Sequence, residues 1–183
     1  MKSKPAQKSD LDSGQAQPLE SPGSLTQAGP PIRLKRLLVA LDFSPASLKA
    51  LEYALGLAER FGAGLILLHV VEPAVYPENY KLLPQAVEEI NQNLVQTARE
   101  RLETLSKKRA APRAGVDCLV RLGHAHSEIP DTAQAMAADL IILGTHGKNS
   151  QKQVFLGSTA ERVVRQAACP VLTIPHTSNS AVE

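Results

Sequence analysis

Five short apolar runs, separated by longer stretches of helical character, constrain the fold of this chain more than any other feature. Each run is four to seven residues long and rich in Leu, Ile and Val, which is too short for a helix; the run at 37–41 is uninterrupted, which is typical of a strand buried on both faces, whereas the run at 116–122 includes Asp117 and Arg121. The runs are 37–41, 65–71, 116–122, 140–143 and 171–174. They predict the strands of a sheet whose two faces are both covered.

The segments between these runs have apolar residues at helical spacing. The first begins with Ser44 and Pro45, an N-cap residue followed by proline at the first helical position, and Gly62 or Gly64 would end it. Further helices are predicted over 85–109, over 127–138 and from Gly157 onward. The apolar stripe of the second predicted helix is Val87, Ile90, Leu94, Ala98, Leu102 and Leu105.

Strands that alternate with helices require crossover connections, and right-handed crossovers place helices on both faces of a mainly parallel sheet. We therefore expect an α/β fold with a doubly wound five-stranded parallel sheet in the order 3-2-1-4-5, forming a single domain over residues 32–175. In such a sheet, ligands bind beyond the carboxyl ends of the strands, where the direction of winding reverses.

The two ends of the chain differ from this pattern. Residues 1–31 hold five of the 13 prolines, no aromatic residue and many Ser and Gln, so they cannot bury enough apolar surface to offset their conformational entropy. We expect a disordered tail there and a flexible C-terminal tail at 176–183. A targeting peptide is the alternative, but Asp10, Asp12 and Glu20 argue against a transit peptide, and a secretory apolar core is missing.

Composition excludes several functional classes. Lys and Arg number 20 against 18 Asp and Glu, a net charge of +2 that is too weak to favour nucleic acid, and 3% aromatic residues make stacking on single strands an implausible binding mode. Two cysteines cannot form a disulfide framework or a four-thiolate zinc site, and no apolar run reaches bilayer length. We expect a soluble cytoplasmic protein that binds neither a membrane nor nucleic acid.

Two strand ends carry unusual residues. Asp42 follows the first run, and Gly144, His146 and Gly147 follow the fourth, with nine residues between Gly147 and Gly157. If the first and fourth strands are neighbours at the point where the winding reverses, both segments face the same crevice. An Asp at a strand end can hold a ribose hydroxyl, although it can equally cap the following turn.

The glycines and the predicted helix start could bind phosphate. Gly144 and Gly147 can adopt positive φ and admit a phosphate to their N–H groups, and the helix start at Gly157 offers further N–H groups to an anion. The hydroxyls of Ser158 and Thr159 would add donors, and Lys148 and Lys152 could offset the negative charge. The alternative is that the glycines only make a tight strand exit and that Ser158 only caps the helix.

The spacing Gly-x2-Gly-x9-Gly-(Ser/Thr) is matched at every fixed position by Gly144, Gly147, Gly157 and Ser158. Three further blocks flank it, with sequences VALDFS at 39–44, LHV at 68–70 and CPVL at 169–172. With these motifs, the chain resembles the ATP-binding type of the universal stress protein family over about residues 32–175. The resemblance implies a stress-response regulatory protein that binds ATP between the ends of the first and fourth strands.

The resemblance also implies roles for individual residues. Asp42 would reach the ribose or the base, Val70 would pack on the adenine, Leu143 would precede the phosphate loop, and Mg²⁺ could be held by Ser158 and the ATP phosphates. His146 could touch the ligand or bond only to the backbone. The implied nucleotide-binding residues are Ala40, Leu41, Asp42, Val70, Leu143, Gly144, His146, Gly147, Gly157, Ser158 and Thr159. Ala160 stands where some ATP-binding members place Thr, so its side chain does not supply the hydroxyl contact of those members.

Other motifs for nucleotide or metal chemistry are missing from the sequence. It contains neither a P-loop nor a dinucleotide fingerprint, and a phosphate-accepting receiver would need a second acidic residue beside Asp42. We interpret His124 and His126 as solvated turn residues, and Cys118 and Cys169 as small buried hydrophobes. No catalytic residue is predicted.

The last strand, Val171–Ile174, would lie at an edge of the sheet, and an apolar edge strand must be covered or paired. The resemblance implies a homodimer in which two such strands meet, with a regulatory protein partner that the sequence does not identify. A slow ATPase or autophosphorylating enzyme and a partner-binding module without nucleotide are the alternative functions. The loop over 72–84 could cover the pocket as a lid with Tyr76 and Tyr80, or be a solvent-facing detour.

Overall fold

The computed structural model describes residues 32–73, 83–110, 115–145 and 156–175. The predicted tails, the lid tyrosines, His146 and Gly147 lie outside these ranges. In chain order the elements are β1 (Arg36–Ala40), α1 (Pro45–Phe61), β2 (Gly64–Val71), α2 (Pro84–Arg109), β3 (Val116–Leu122), α3 (Ala125–Ala135), β4 (Leu140–Gly144), α4 (Ser158–Gln166) and β5 (Val171–Ile174).

The strands form a parallel sheet in the order β3-β2-β1-β4-β5, which confirms the predicted doubly wound topology. β1 is central, with Val39 opposite Leu67 of β2 and Ile142 of β4. The chain winds outward from β1 through β2 to β3 and then crosses to β4 on the other side. The reversal of winding therefore lies between β1 and β4.

The core consists of two clusters, one on each face of the sheet. Leu37 and Val39 belong to the cluster beneath α1 and α2, whereas Leu38 belongs to the cluster beneath α3 and α4. All three side chains are fully buried. Because successive side chains of a strand point to opposite faces, a strand covered on both sides must be apolar at every position, which explains the continuous run in the sequence.

The caps of α1 follow the prediction. The Ser44 hydroxyl accepts a hydrogen bond from the Ser47 N–H at 3.2 Å, Pro45 occupies the first turn, and Gly62 ends the helix with a φ of 66°. Glycine takes that left-handed conformation without the steric cost that a Cβ brings.

Two helices differ from their predictions, α3 in its bounds and α2 in the residues that it buries. α3 lies two to three residues earlier than the predicted 127–138, so His124 is its N-cap residue and His126 lies in its first turn, rather than both in a turn. On α2, Leu94 belongs to the predicted apolar stripe but is 42% exposed. Asn91 lies outside that stripe but is buried, with 8% exposure. Within the described ranges, none of the helices is long and apolar enough to cross a membrane.

Candidate functional site

A cavity of about 530 Å³ lies at the carboxyl edge of the sheet, where β1, β2 and β4 end and where α3 and α4 begin. Its size falls within the usual range for small-molecule sites, roughly 300–1,000 Å³. The predicted site residues around it are Ala40, Leu41, Asp42, Val70, Leu143, Gly144, Gly157, Ser158 and Thr159. Residues from distant parts of the chain therefore meet at the predicted crevice, while the roles expected of them stay predictions.

One wall of the cavity is apolar. Ala40, Val70 and Leu143 pack with the cluster beneath α3 and α4, which also contains the cavity residue Ile129. Leu41 differs, because its side chain is buried in the opposite cluster. Its N–H donates to the Leu68 carbonyl at 2.8 Å, and its carbonyl oxygen accepts from Nδ1 of His69. Leu41 thus lines the cavity with main-chain polar groups that are already bonded.

Asp42 lies at the rim of the cavity and also caps a turn. Its Oδ1 accepts a hydrogen bond from the Ser44 N–H at 2.9 Å, and the residue is partly buried. The capping role raised as an alternative is therefore present. It is compatible with ligand binding, because a carboxylate has two oxygens and about four lone-pair sites.

Phe43 follows Asp42 in a left-handed conformation with a φ of 62°. The centroid of its ring lies 4.7 Å from that of His69, with the planes tilted by 48°. The Arg101 guanidinium carbon, from α2, lies 4.1 Å from the centre of the Phe43 ring. An aromatic residue with positive φ thus connects the end of β1 with both β2 and α2.

Gly144 lines the cavity as predicted, and it also has a packing role. It is not among the described glycines with positive φ. A Cβ added there would lie 2.8 Å from the Cβ of Ala46 and 3.0 Å from the Ser47 nitrogen. The absent side chain makes room for the first turn of α1, so β4 and α1 approach more closely than any other residue would allow.

The N-terminus of α4 opens onto the cavity. Gly157 is its N-cap residue and contributes no side-chain bond, and the first helical bond runs from the Glu161 N–H to the Gly157 carbonyl at 2.9 Å. The N–H groups of Ser158, Thr159 and Ala160 precede that bond and have no acceptor within the helix. Ser158 is therefore the first helical residue and not the cap. Ala160 is buried, so what it can offer a ligand is its N–H.

Thr145 joins β4 to α4 and β5 through its main chain. Its carbonyl accepts from the Gly157 N–H at 2.7 Å, and its N–H donates to the Ile174 carbonyl at 2.9 Å. Thr145 and Gly157, which lie on either side of segment 146–155, are thereby bonded to each other; His146, Gly147 and both predicted lysines belong to that segment.

The charged residues on the described part of the wall are Asp42 and Glu72, and this part includes neither Lys nor Arg. Across the described residues, no group of three His, Cys, Asp or Glu side chains is arranged to hold a metal ion. The described donors that suit an anion include the N–H groups at the start of α4, whose helix end carries a partial positive charge, and the hydroxyls of Ser158 and Thr159.

Neither cysteine lies on the described wall of the cavity. Burial raises the pKa of the Cys118 thiol and, likewise, that of Cys169. A raised pKa keeps a thiol protonated and weakly nucleophilic, consistent with a packing role for both residues.

Several cavity residues were not in the predicted set. His69 and Thr145 lie within motifs that the sequence singled out, so closer attention to the neighbours of each motif would have found them. The other additions are Ser47, Leu68, Glu72, Ala125, Ile129 and Ala160. Residues of α1 and α3 reach the cavity because these helices pack on the sheet, and no local sequence motif predicts that packing.

A sequence model of the Universal stress protein family matches residues 33–175, which is most of the chain. The chain belongs to the universal stress protein family. A universal stress protein of Methanocaldococcus jannaschii is 33% identical over 148 residues, which cover 76% of this chain and 81% of that protein. The match spans the whole α/β sheet described above.

Solved structures of the universal stress protein family share this fold. A second Methanocaldococcus jannaschii member superposes with a TM-score of 0.70 at 27% identity, covering 80% of this chain and 99% of that one. A universal stress protein in complex with cAMP superposes with a TM-score of 0.52 at 22% identity, covering 78% and 98%. At that identity, the second likeness shows the shared fold alone.

Proposed function

We propose that this universal stress protein binds ATP in the cavity between the ends of β1 and β4. The adenosine would lie against Ala40, Val70 and Leu143, Asp42 would accept a hydrogen bond from the ribose or the base, and the triphosphate would extend toward the start of α4. The observation that carries the proposal is the meeting, in one cavity, of an apolar wall, a carboxylate and an uncapped helix N-terminus.

Each part of this cavity suits one part of the nucleotide. An apolar wall favours a flat heterocycle through burial of apolar surface, and a fixed carboxylate suits hydroxyl or amino donors. The N–H groups of Ser158, Thr159 and Ala160 suit phosphate oxygens, helped by the positive end of the helix dipole. Gly147, His146, Lys148 and Lys152 stay predicted phosphate contacts on sequence grounds.

Mg²⁺ would enter with the nucleotide. In nucleotide sites, Mg²⁺ is held largely by substrate phosphates and waters, and a Ser or Thr hydroxyl is a known protein ligand, so the Ser158 hydroxyl, exposed at the start of α4, fits that role. This arrangement needs no preformed cluster of carboxylates.

We propose a regulatory role in the cytoplasm during stress, with ATP setting the state that a protein partner recognises. Phosphoryl transfer requires a positioned nucleophile or water. Among the described residues of the cavity, the imidazole is His69, whose Nδ1 bonds the Leu41 carbonyl, and the side-chain hydroxyls nearest the α4 N-terminus are those of Ser158 and Thr159. These hydroxyls make slow hydrolysis or autophosphorylation the enzymatic alternative.

Identification of bound nucleotide is the most direct test. We expect mass spectrometry of heat-released small molecules to find an adenine nucleotide, and calorimetry on the stripped protein to show ATP binding that AMP competes for. Release of many ADP per protein would indicate an enzyme, and a single turnover with labelled protein would indicate autophosphorylation. Absence of any adenine-nucleotide binding would contradict the proposal and leave a partner-binding module.

A charge at the start of α4 tests the phosphate end separately. Thr159→Glu should weaken ATP binding about tenfold or more through repulsion of the phosphates, while adenosine binding changes little. The same substitution should stabilise the fold slightly, by about 0.3–1 kcal/mol, because an acidic side chain suits a helix N-terminus. Equal losses for ATP and adenosine would place the triphosphate elsewhere.

We also propose a homodimer through β5. This strand is an edge of the sheet that pairs only with β4 among the described strands, and Val171, Leu172 and Thr173 are partly exposed along it. Leu172→Asp should give a monomer by light scattering, because a buried unpaired charge at a strand edge opposes pairing. Lys49→Asp, on α1, is the control and should leave the oligomeric state unchanged.

A further inference from the structure

Leu41 and Phe43, the residues on either side of Asp42, both contact His69. The rings of His69 and Phe43 form a stack that extends to Arg101 of α2. We propose that Phe43, His69 and Arg101 form a positioning stack that fixes the orientation of Asp42 at the rim of the cavity. The proposal rests on the proposed function, since it assigns Phe43 and Arg101 to the nucleotide site without direct contact with the nucleotide.

The first step is the backbone of Phe43. A φ of 62° is uncommon for residues other than Gly, Asn and Asp, and such a conformation persists only where the surroundings enforce it. In this case the conformation lets the chain turn back, so that Oδ1 of Asp42 accepts the Ser44 N–H at 2.9 Å. The orientation of the carboxylate therefore depends on what holds Phe43.

The second step is the pair of contacts on the Phe43 ring. The His69 ring lies 4.7 Å away on one side, and the Arg101 guanidinium carbon lies 4.1 Å from the ring centre. A guanidinium at that distance is within the range of a cation–π interaction. The ring also packs against the core cluster beneath α1 and α2, so three elements converge on it.

The third step is the hydrogen bond of His69. A carbonyl oxygen can only accept, so Nδ1 of His69 must carry the hydrogen that it donates to Leu41. His69 thus bonds the residue before Asp42 and contacts the ring of the residue after it. Leu41 is further fixed by its N–H bond to the Leu68 carbonyl at 2.8 Å.

Together these contacts make the orientation of Asp42 depend on Arg101, a residue of α2 outside the described wall of the cavity. Arg101 is exposed on its helix, so its removal should leave folding intact. It is therefore the cleanest residue with which to test the stack.

The first measurement is amide hydrogen exchange by NMR on the protein without nucleotide. Arg101→Met should speed exchange of the Ser44 N–H about two- to fivefold, the range of an exposed cation–π contact. Arg101→Lys, which keeps the cation, should exchange within about twofold of the unmodified protein. Arg99→Met, at an exposed arginine of the same helix with no described contact to the Phe43 ring, is the matched control and should have no effect.

The second measurement is binding of ATP and of adenosine by calorimetry. Arg101→Met should weaken both by the same factor, about two- to fivefold, because the stack acts on the nucleoside end. Asn tolerates positive φ but lacks the ring, so Phe43→Asn should weaken the binding of ATP and of adenosine more strongly. Phe43→Tyr keeps an aromatic ring and should retain the binding of both. In an Asp42→Ala background, which removes the oriented acceptor, Arg101→Met should cause no further loss.

The outcomes separate the two proposals. Faster Ser44 exchange in Arg101→Met but not in Arg99→Met supports the stack even if the protein binds no adenine nucleotide, a result that would contradict only the proposed function. Unchanged exchange at Ser44 overturns the stack, whatever the affinity for ATP. A loss of affinity that persists in full after Asp42→Ala also overturns it, because the effect would then bypass the side chain of residue 42.

Discussion

β1 and β4 are neighbouring strands, and each end of this pair has an Asp that accepts hydrogen bonds from main-chain N–H groups. The surroundings of the two carboxylates differ. At the amino edge of the sheet, Oδ2 of Asp139 accepts from the N–H groups of Lys35 at 2.6 Å and Arg36 at 2.9 Å. At the carboxyl edge, Asp42 caps its own turn and lines a cavity. Asp139 thus binds the start of β1, whereas Asp42 also faces a cavity that a ligand can enter.

The difference follows from the winding of the sheet. At the carboxyl edge, β1 continues to one side of the sheet and β4 to the other, so their following segments diverge and leave a crevice. At the amino edge, the Arg36 guanidinium bonds the Met136 carbonyl at 2.8 Å, so the residue that begins β1 also covers the end of α3. An acidic residue at a strand end is thus informative only together with the edge on which it lies.

The largest effect is expected where β4 meets α1 at the carboxyl edge. Gly144→Ala should lower the free energy of unfolding by about 1–3 kcal/mol, because the new Cβ would overlap backbone and side-chain atoms of Ala46. Gly56→Ala, where a Cβ meets no atom within 4 Å in mid-helix, is the control and should stabilise the protein by about 0.5–1 kcal/mol. Urea unfolding measures both, and equal effects would contradict the packing role of Gly144.

A direct comparison of the two edges uses the same substitution at each. Asp42→Asn should weaken ATP binding about tenfold, the value of a charge-assisted hydrogen bond of about 1.5 kcal/mol. Asp139→Asn should leave ATP affinity unchanged and lower the free energy of unfolding by about 0.5–1 kcal/mol. Calorimetry and urea unfolding of both variants measure the contrast, and a loss of affinity in Asp139→Asn would contradict it.

The smallest effect is the pH dependence at the amino edge. The Arg36 N–H bond, followed by the Lys35 N–H bond, lowers the pKa of Asp139 from its ordinary value. A depressed pKa in the folded state means that this contribution to stability is complete above the unfolded pKa of about 3.9 and is lost as pH falls through the folded pKa. Unfolding midpoints between pH 5 and pH 2.5 should fall less steeply for Asp139→Asn than for the unmodified protein.

The sheet could be predicted from the sequence because strands covered on both faces must be apolar at consecutive positions, and the helix caps at Ser44 and Gly62 have strong local requirements. The stripe of α2 was less predictable. Leu94 and Val95 are both apolar, and the choice of which one faces inward depends on how the whole helix rotates against β2 and β3. The exposure of Leu94 is therefore a property of packing.

The cavity could be located from the sequence because the strand order decides which strand ends meet. The packing role of Gly144 could not be predicted, since a glycine that admits a ligand and a glycine that admits a neighbouring helix have the same appearance in a sequence. His69 was missed because its role comes from contacts with Leu41 and Phe43, residues 26 or more positions away along the chain.

The bond between the Thr145 carbonyl and the Gly157 N–H has a consequence for insertions and deletions. This bond holds Thr145 and Gly157 together, and neither of its two groups belongs to segment 146–155. Closure entropy grows only logarithmically with length, so doubling the segment would cost roughly 0.6 kcal/mol. The fold should therefore tolerate a change in the length of this segment while β4 and α4 keep their places. Nucleotide binding should not tolerate it, because the segment holds the predicted phosphate contacts His146, Gly147, Lys148 and Lys152.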